Sequence, residues 1–367
     1  MSDKRKPEWA PLNSGSEFAS RIVSGENTIV NPMSNRDNKK TARQYELSEL
    51  VEGVRDSNRT LLSKAITLIE SNSEKHFQMG QELLNQLLPL SGASIRIGIT
   101  GVPGAGKSTF IENFGLSLIE KGHKVAVLAI DPSSCISKGS ILGDKTRMEK
   151  LSCHPASFIR PSPSAGVLGG VARKTRESII LCEAAGYDTI LIETVGVGQS
   201  ETTVRSMVDF FLLMQIAGAG DELQGIKKGI IELADLIVIN KSDGDNIQRA
   251  ELAKQEFSNA LHYIRHATDS WQTKAVLCSA LFNDGLDVIW DVVQDFKLAT
   301  INSGAFKKRR TEQSIQWFES LLAESVLHSF YQSKAVIQLL PELKEKVSQG
   351  SLPVALAVST LISAGSR

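Results

Sequence analysis

The chain has 367 residues, 41% of them hydrophobic, which is more than one ordinary domain and enough for a sizeable core with helical satellites. Lys+Arg and Asp+Glu balance at 41 each, which excludes a charge-driven footprint for nucleic acid or an acidic membrane and leaves small molecules and proteins as expected partners. Cys135, Cys153, Cys182 and Cys278 show no CxxC spacing and read as reduced thiols of a cytosolic-type compartment; no stretch approaches the ~20 apolar residues of a membrane span, and the N-terminus lacks a signal-peptide core.

Residues 1–44 are rich in Ser, Asn, Lys, Arg and Pro with little apolar periodicity, and are expected to be a disordered extension; five acids there argue against an organellar transit peptide. From Tyr45 the pattern turns helical. Leu62, Ala65, Ile66 and Ile69 share one face, and Phe77, Gly80, Leu84 and Leu87 another, predicting a small helical hairpin within a segment 45–93. The period then changes. Six β-prone runs, 94–100, 124–130, 187–193, 209–217, 235–240 and 274–280, alternate with amphipathic helices such as 169–186 and 246–264. That alternation predicts an α/β domain over 94–304, a mostly parallel sheet covered on both faces, closed by a helix from Gly285 to about Ala299. The KKRR run at 307–310 reads as a linker. Beyond it, 305–367 reads as helical, with Ile315, Phe318, Leu322, Val326 and Phe330 in one stripe and Pro353 placed to open a last helix. Pattern leaves two readings for this segment, a dimerisation arm or helices docked on their own sheet.

The strongest chemical signal is GVPGAGKST: Gly101, Val102, Pro103, Gly104, Ala105, Gly106, Lys107, Ser108 and Thr109, directly after a strand and opening a helix. This fits GxxxxGK[ST] in the context its mechanism demands, that of a P-loop NTPase. Its glycines let backbone N–H groups and a helix N-terminus face phosphate oxygens, Lys107 reaches the β- and γ-phosphates, and the Ser108 hydroxyl can ligate magnesium. The base is named by NKSD, where Asp243 can accept from the N1–H and N2–H₂ of guanine, the Lys241 stem lies along the ring and Asn240 braces the loop. One strand later, Ser279, Ala280 and Leu281 would aim backbone N–H at the guanine 6-oxo group.

Three acids are candidates for the magnesium shell: Asp131 at the end of the second predicted strand, Asp144 where a helix is expected to begin, and Glu193 at the end of the third. Asp131 also fits an N-cap, and Asp144 a solvated first-turn acid. Gly196 and Gly198 would let the following loop answer a γ-phosphate, and Gln199 is a candidate for orienting the attacking water. The glycine-rich 217–229 reads either as a moving, partner-sensing segment or as a solvated helix start. The six histidines show no ligand spacing, so a metal-insertion role through a His/Cys cluster has no support.

Taken together, GVPGAGKSTF, DPSS, GSILGDKTRM, ETVGVGQSE, AGAGDELQGIKKG and NKSD resemble the MeaB/ArgK-type P-loop GTPases, chaperones of adenosylcobalamin-dependent methylmalonyl-CoA mutase, from about residue 45 onward and most weakly beyond 330. The resemblance implies a SIMIBI-class GTPase domain, a C-terminal dimerisation arm, and GTP binding and hydrolysis that gate cobalamin delivery to a mutase and protect it. It places Ser108, Asp131, Asp144 and Glu193 around Mg²⁺ and makes 217–229 a partner-sensing switch; Lys107, Glu193 and Gln199 are the candidate catalytic residues from the motifs themselves, with a partner expected to complete the chemistry. After DPSS the family usually continues with proline and a Thr-Gly-Gly-like stretch; Cys135, Ile136, Ser137, Lys138 and Gly139 stand here, a departure that bears on hydrolysis rate more than on nucleotide binding. An older family name invokes a kinase for amino-acid-binding proteins, and no phosphoacceptor site supports it. The expectation is a cytoplasmic homodimer that hydrolyses GTP slowly alone and faster with a partner, served by GTP/GDP and Mg²⁺, with methylmalonyl-CoA mutase or a related acyl-CoA mutase as client. A GTP-dependent regulatory module and a metallochaperone-type GTPase for another metalloenzyme are the alternatives.

Overall fold

The computed structural model describes residues 45–71, 73–131, 148–163, 168–194, 200–218, 228–264 and 267–365. The chain divides into Met1–Tyr45 and Glu46–Arg367, and the second unit carries everything below. The extension expected at 1–44 lies outside the described residues.

Three helices open the unit rather than the expected hairpin: α1 (Leu47–Arg55), α2 (Arg59–Glu70) and α3 (Glu74–Leu87). Asn58 starts α2 by accepting from the N–H groups of Thr60 and Leu61. The predicted stripe Leu62, Ala65, Ile66 and Ile69 is buried, as are Leu84 and Leu87; Phe77 stays partly exposed beneath the Arg173 guanidinium, 4.8 Å from its ring. Side-chain bonds fasten these helices to the α/β body: Ser57 Oγ donates to Ala185 O at 2.7 Å, and Arg59 donates to Ser152 O and His154 O.

The sheet comprises β1 (Ile95–Gly101), β2 (Val125–Asp131), β3 (Ser157–Pro163), β4 (Thr189–Thr194), β5 (Phe210–Ile216), β6 (Leu236–Asn240) and β7 (Lys274–Leu277). Among the described residues the seven strands pair in parallel throughout, in the order β3-β2-β4-β1-β5-β6-β7. Six strands match the predicted runs; β3 was not anticipated. Its sequence, SFIRPSP, carries two prolines that cannot donate to a ladder, and the sheet accommodates them at its edge. Arg160 secures this edge through an ion pair with Glu70 on α2.

Helices cover both faces: α4 (Lys107–Glu120), α5 (Glu149–Cys153), α6 (Leu168–Ala184), α7 (Ser200–Arg205), α8 (Lys228–Leu233), α9 (Ile247–Leu261) and α10 (Leu286–Ser303). One core packs α4 and α10 on the sheet, where Phe110 and Phe114 stack with centroids 5.1 Å apart and Trp290 meets Phe114 edge-on. Another packs α9 against β6. Cys182 and Cys278 are buried, and burial pushes both thiols up, Cys278 to about 12.

The tail is helical throughout: α11 (Ala305–Gln332), α12 (Lys334–Ser348) and α13 (Val354–Gly365), the last opened by Pro353, whose carbonyl accepts from Leu356 and Ala357. The linker reading of KKRR is corrected. Lys307 to Arg310 lie in the first turns of α11, and two of the four basic groups reach the sheet. Arg310 grips the buried Asp209 with Nε to Oδ1 at 2.7 Å and Nη2 to Oδ2 at 2.6 Å, and donates to Gly92 O and Ser94 O. Arg309 donates to Asp209 O and Thr268 Oγ1 and lies 3.5 Å from the buried Asp235. The stripe on α11 points elsewhere. Ile315, Phe318, Leu322 and Val326 are exposed, so they do not dock on the sheet.

Candidate functional site

β1 stops at Gly101, and the chain must turn there without a side chain. A Cβ on Gly101 would sit 2.3 Å from Met214 O on the neighbouring strand. Gly101→Ala is therefore expected to lower stability by about 2 kcal/mol; an unchanged urea midpoint would refute this. Ala105 N–H closes the loop onto Val102 O, and Gly106, at φ 86° with Asn240 Nδ2 only 2.8 Å from where its Cβ would lie, caps α4 with no side chain. The first-turn N–H groups of α4 are thus left for an anion, and the helix dipole favours one.

Lys107 folds over this cradle, donating to Gly101 O at 2.9 Å and Val102 O at 3.2 Å. Burial lowers its pKa, while the charges of Glu193 and Glu201 act in the opposite sense. Glu201, buried on α7, is a participant that sequence reasoning passed over, although it sits inside the ETVGVGQSE stretch. Ser108 Oγ donates to Glu193 Oε1 at 3.2 Å, bringing together two of the predicted magnesium ligands; Glu193 is only 5% exposed. Asp131 closes β2 one residue beyond the Ile130 to Thr194 pairing, so its backbone stands beside the end of β4. Asp144, Gln199, Gly196, Gly198 and 135–139 lie outside the described residues, as do 219–227 of the second glycine-rich turn. Pro103 and Thr109 are exposed at the mouth of the loop.

The base end is assembled from β6 and the turn after β7. Asn240, at the end of β6, donates through Nδ2 to Ala105 O at 2.7 Å and accepts through Oδ1 from Ala280 N–H at 3.0 Å. Lys241 holds φ 61°, a conformation uncommon for a side chain of its size, kept by Asn246 Nδ2 on its carbonyl at 2.7 Å and by Ser242 N–H on Cys278 O. Ser279 Oγ donates to Asp243 Oδ2 at 2.5 Å, aiming a carboxylate whose other oxygen can accept elsewhere. Of the three N–H groups in 279–281, that of Ser279 is committed to Asp284 O, whereas Leu281 N–H makes no hydrogen bond among the described residues. Phosphate cradle and base loop thus form one hydrogen-bonded unit across the carboxyl ends of β1, β4, β5 and β6, where open parallel sheets bind ligands. Among the described residues no three His, Cys, Asp or Glu side chains cluster as a metal site.

The family model for the methylmalonyl-CoA mutase-associated GTPase MeaB matches residues 62–335. The chain belongs to the MeaB family. Relatives agree along most of its length: GTPase ArgK of Escherichia coli is 50% identical over 78% of this chain and 86% of its own, and the mitochondrial methylmalonic aciduria type A homolog of Mus musculus is 44% identical over 87% and 79%. A crystal structure of an LAO/AO transport system kinase superposes with TM-score 0.71 at 40% identity, covering 88% of this chain and 99% of the other. As a MeaB-family protein the chain is a GTPase, built on a P-loop NTPase fold with helical segments before and after the sheet. Among the described residues no helix is long and apolar enough to cross a membrane.

Proposed function

We propose that this MeaB-family GTPase gates delivery of adenosylcobalamin to methylmalonyl-CoA mutase, or a related acyl-CoA mutase, and protects that enzyme from inactive cofactor. The observation that carries this reading is the family match over 62–335, which spans both nucleotide motifs and whose family is associated with that mutase. GTP sits with its phosphates on 101–109 and its base between Asn240, Lys241, Asp243 and 279–281. The Ser108 and Glu193 oxygens, paired at 3.2 Å, suit a hard divalent cation, and with Asp131 and Asp144 they would hold Mg²⁺, which when bound neutralises charge on the phosphates. Lys107 positions the γ-phosphate, and Gln199 is the candidate for the attacking water. The protein works in the cytoplasm as a homodimer; the exposed stripe of α11 supports the second of these, being more apolar surface than a lone helix ordinarily leaves to water.

Apo-mutase, adenosylcobalamin and this protein are to be mixed under GTP, GDP and a non-hydrolysable analogue while cofactor loading is followed. Loading should depend on the nucleotide and complete only with hydrolysable GTP; equal loading in all three would overturn the gating role.

A further inference from the structure

Ala280 is held through both of its backbone groups. Its N–H donates to Asn240 Oδ1 at 3.0 Å, and its carbonyl accepts from Asn113 Nδ2 at 2.6 Å. Asn240 donates in turn to Ala105 O at 2.7 Å. Ala105 and Asn113 belong to one element, the phosphate loop running into α4, so the circuit leaves and re-enters the same rigid body, anchored in the core by Phe110 and Phe114. Asparagine is a poor choice for a helix interior on propensity alone, and this one spends its amide on a residue 167 positions away.

We propose that Asn113 is a positioning residue for base recognition, setting the 279–281 turn at the height where its uncommitted N–H, that of Leu281, meets a 6-oxo purine, with the phosphate-binding helix as the gauge. The proposal rests on the guanine reading of Asn240, Asp243 and 279–281. Asp243, which would read N1–H and the 2-amino group, is held separately by Ser279 Oγ at 2.5 Å. Asn113 holds the carbonyl of the 280–281 peptide, whose N–H is that of Leu281, so its effect is expected first at the 6-oxo group. Releasing it leaves the Ala280 carbonyl, in a residue 2% exposed, without its partner and lets the peptide plane turn.

The test is Asn113→Ala in the full chain, with GTP, inosine triphosphate and ATP competed against a fluorescent GDP analogue. Inosine keeps the 6-oxo group and lacks the 2-amino group. GTP and inosine triphosphate should both weaken about tenfold, ATP should hold, and kcat at saturating GTP should stay within about twofold so that the loss falls on KM. Asn113→Asp, of similar shape but unable to donate, should behave as the alanine variant does. An unchanged GTP-to-ATP ratio in a variant that melts like wild type overturns the proposal, and so does equal weakening of all three nucleotides, the mark of a loosened phosphate loop. A wild-type protein that binds ATP as tightly as GTP would instead overturn the guanine reading beneath it.

Discussion

Asp243→Asn should lower GTP affinity by about 10³-fold and raise affinity for xanthosine triphosphate, because the two purines present opposite groups at the 2-position. Guanine offers N1–H and a 2-amino group, both donors, to a carboxylate. Xanthine replaces the amino group with a carbonyl, which an asparagine amide can meet as donor. In the variant, the amide NH₂ faces the guanine amino group and both donors lose their partner, which is why the expected loss exceeds that of an ordinary hydrogen bond. The phosphate half of the site should survive, since Lys107 and the first turn of α4 make no contact with Asp243, and pyrophosphate or triphosphate inhibition should be unchanged. Isothermal titration with GTP, xanthosine triphosphate and ATP reads the result. If GTP affinity holds, Asp243 does not read the base, whatever its bond to Ser279.

Arg310→Met should cost about 3–5 kcal/mol of stability, seen as a fall in the urea midpoint. The methionine fills much of the volume but leaves the carboxylate of Asp209, 1% exposed, with the Arg96 N–H at 2.9 Å as its remaining hydrogen bond and the Arg205 charge nearby. Burial by itself would depress the Arg310 guanidinium; the hydrogen bond and charge of Asp209 outweigh it and hold the group above its ordinary value. Asp209 immediately precedes β5 and Asp235 immediately precedes β6, at the amino ends of these strands and away from the nucleotide loops at their carboxyl ends, so nucleotide affinity of the folded variant should not change. A midpoint equal to wild type would show that the Arg310–Asp209 pair does not hold the tail helix in place. Arg310→Lys should recover part of the loss, since an ammonium answers the charge without the two-pronged geometry.

The same tail makes a second polar contact with the α/β body. Gln313 Nε2 on α11 donates to Arg205 O and Val208 O, and Arg176 ties Ser206 to Gln313 O, so α11 grips the end of α7. These bonds join residues more than a hundred positions apart for Gln313 and 137 for Arg176. Nothing in the local pattern of either segment announces them.

What was legible in the chain was local. A strand followed by GVPGAGKST can turn in few ways once Gly101 and Gly106 are required, and short, nearly continuous apolar runs announced six of the seven strands because most of them are buried on both faces. NKSD and the turn after β7 were recognisable because a carboxylate and N–H groups at strand ends are the groups a guanine demands. The strand at the edge was not legible, since SFIRPSP carries two prolines and an arginine and only a place beside β2 makes it a strand. KKRR was misread for a different reason. A basic run looks the same whether water or a buried carboxylate receives it, and Asp209 and Asp235 come near it only after the sheet has formed. The sequence alone determined the parallel α/β class and the phosphate loop and named the candidate base-reading residues, because backbone geometry and hydrogen-bonding groups within a few positions decide them. Only the tertiary structure decided which charges are buried, which apolar stripe stays exposed and which asparagine holds the base loop, because each depends on what distant segments leave unpaired or uncovered.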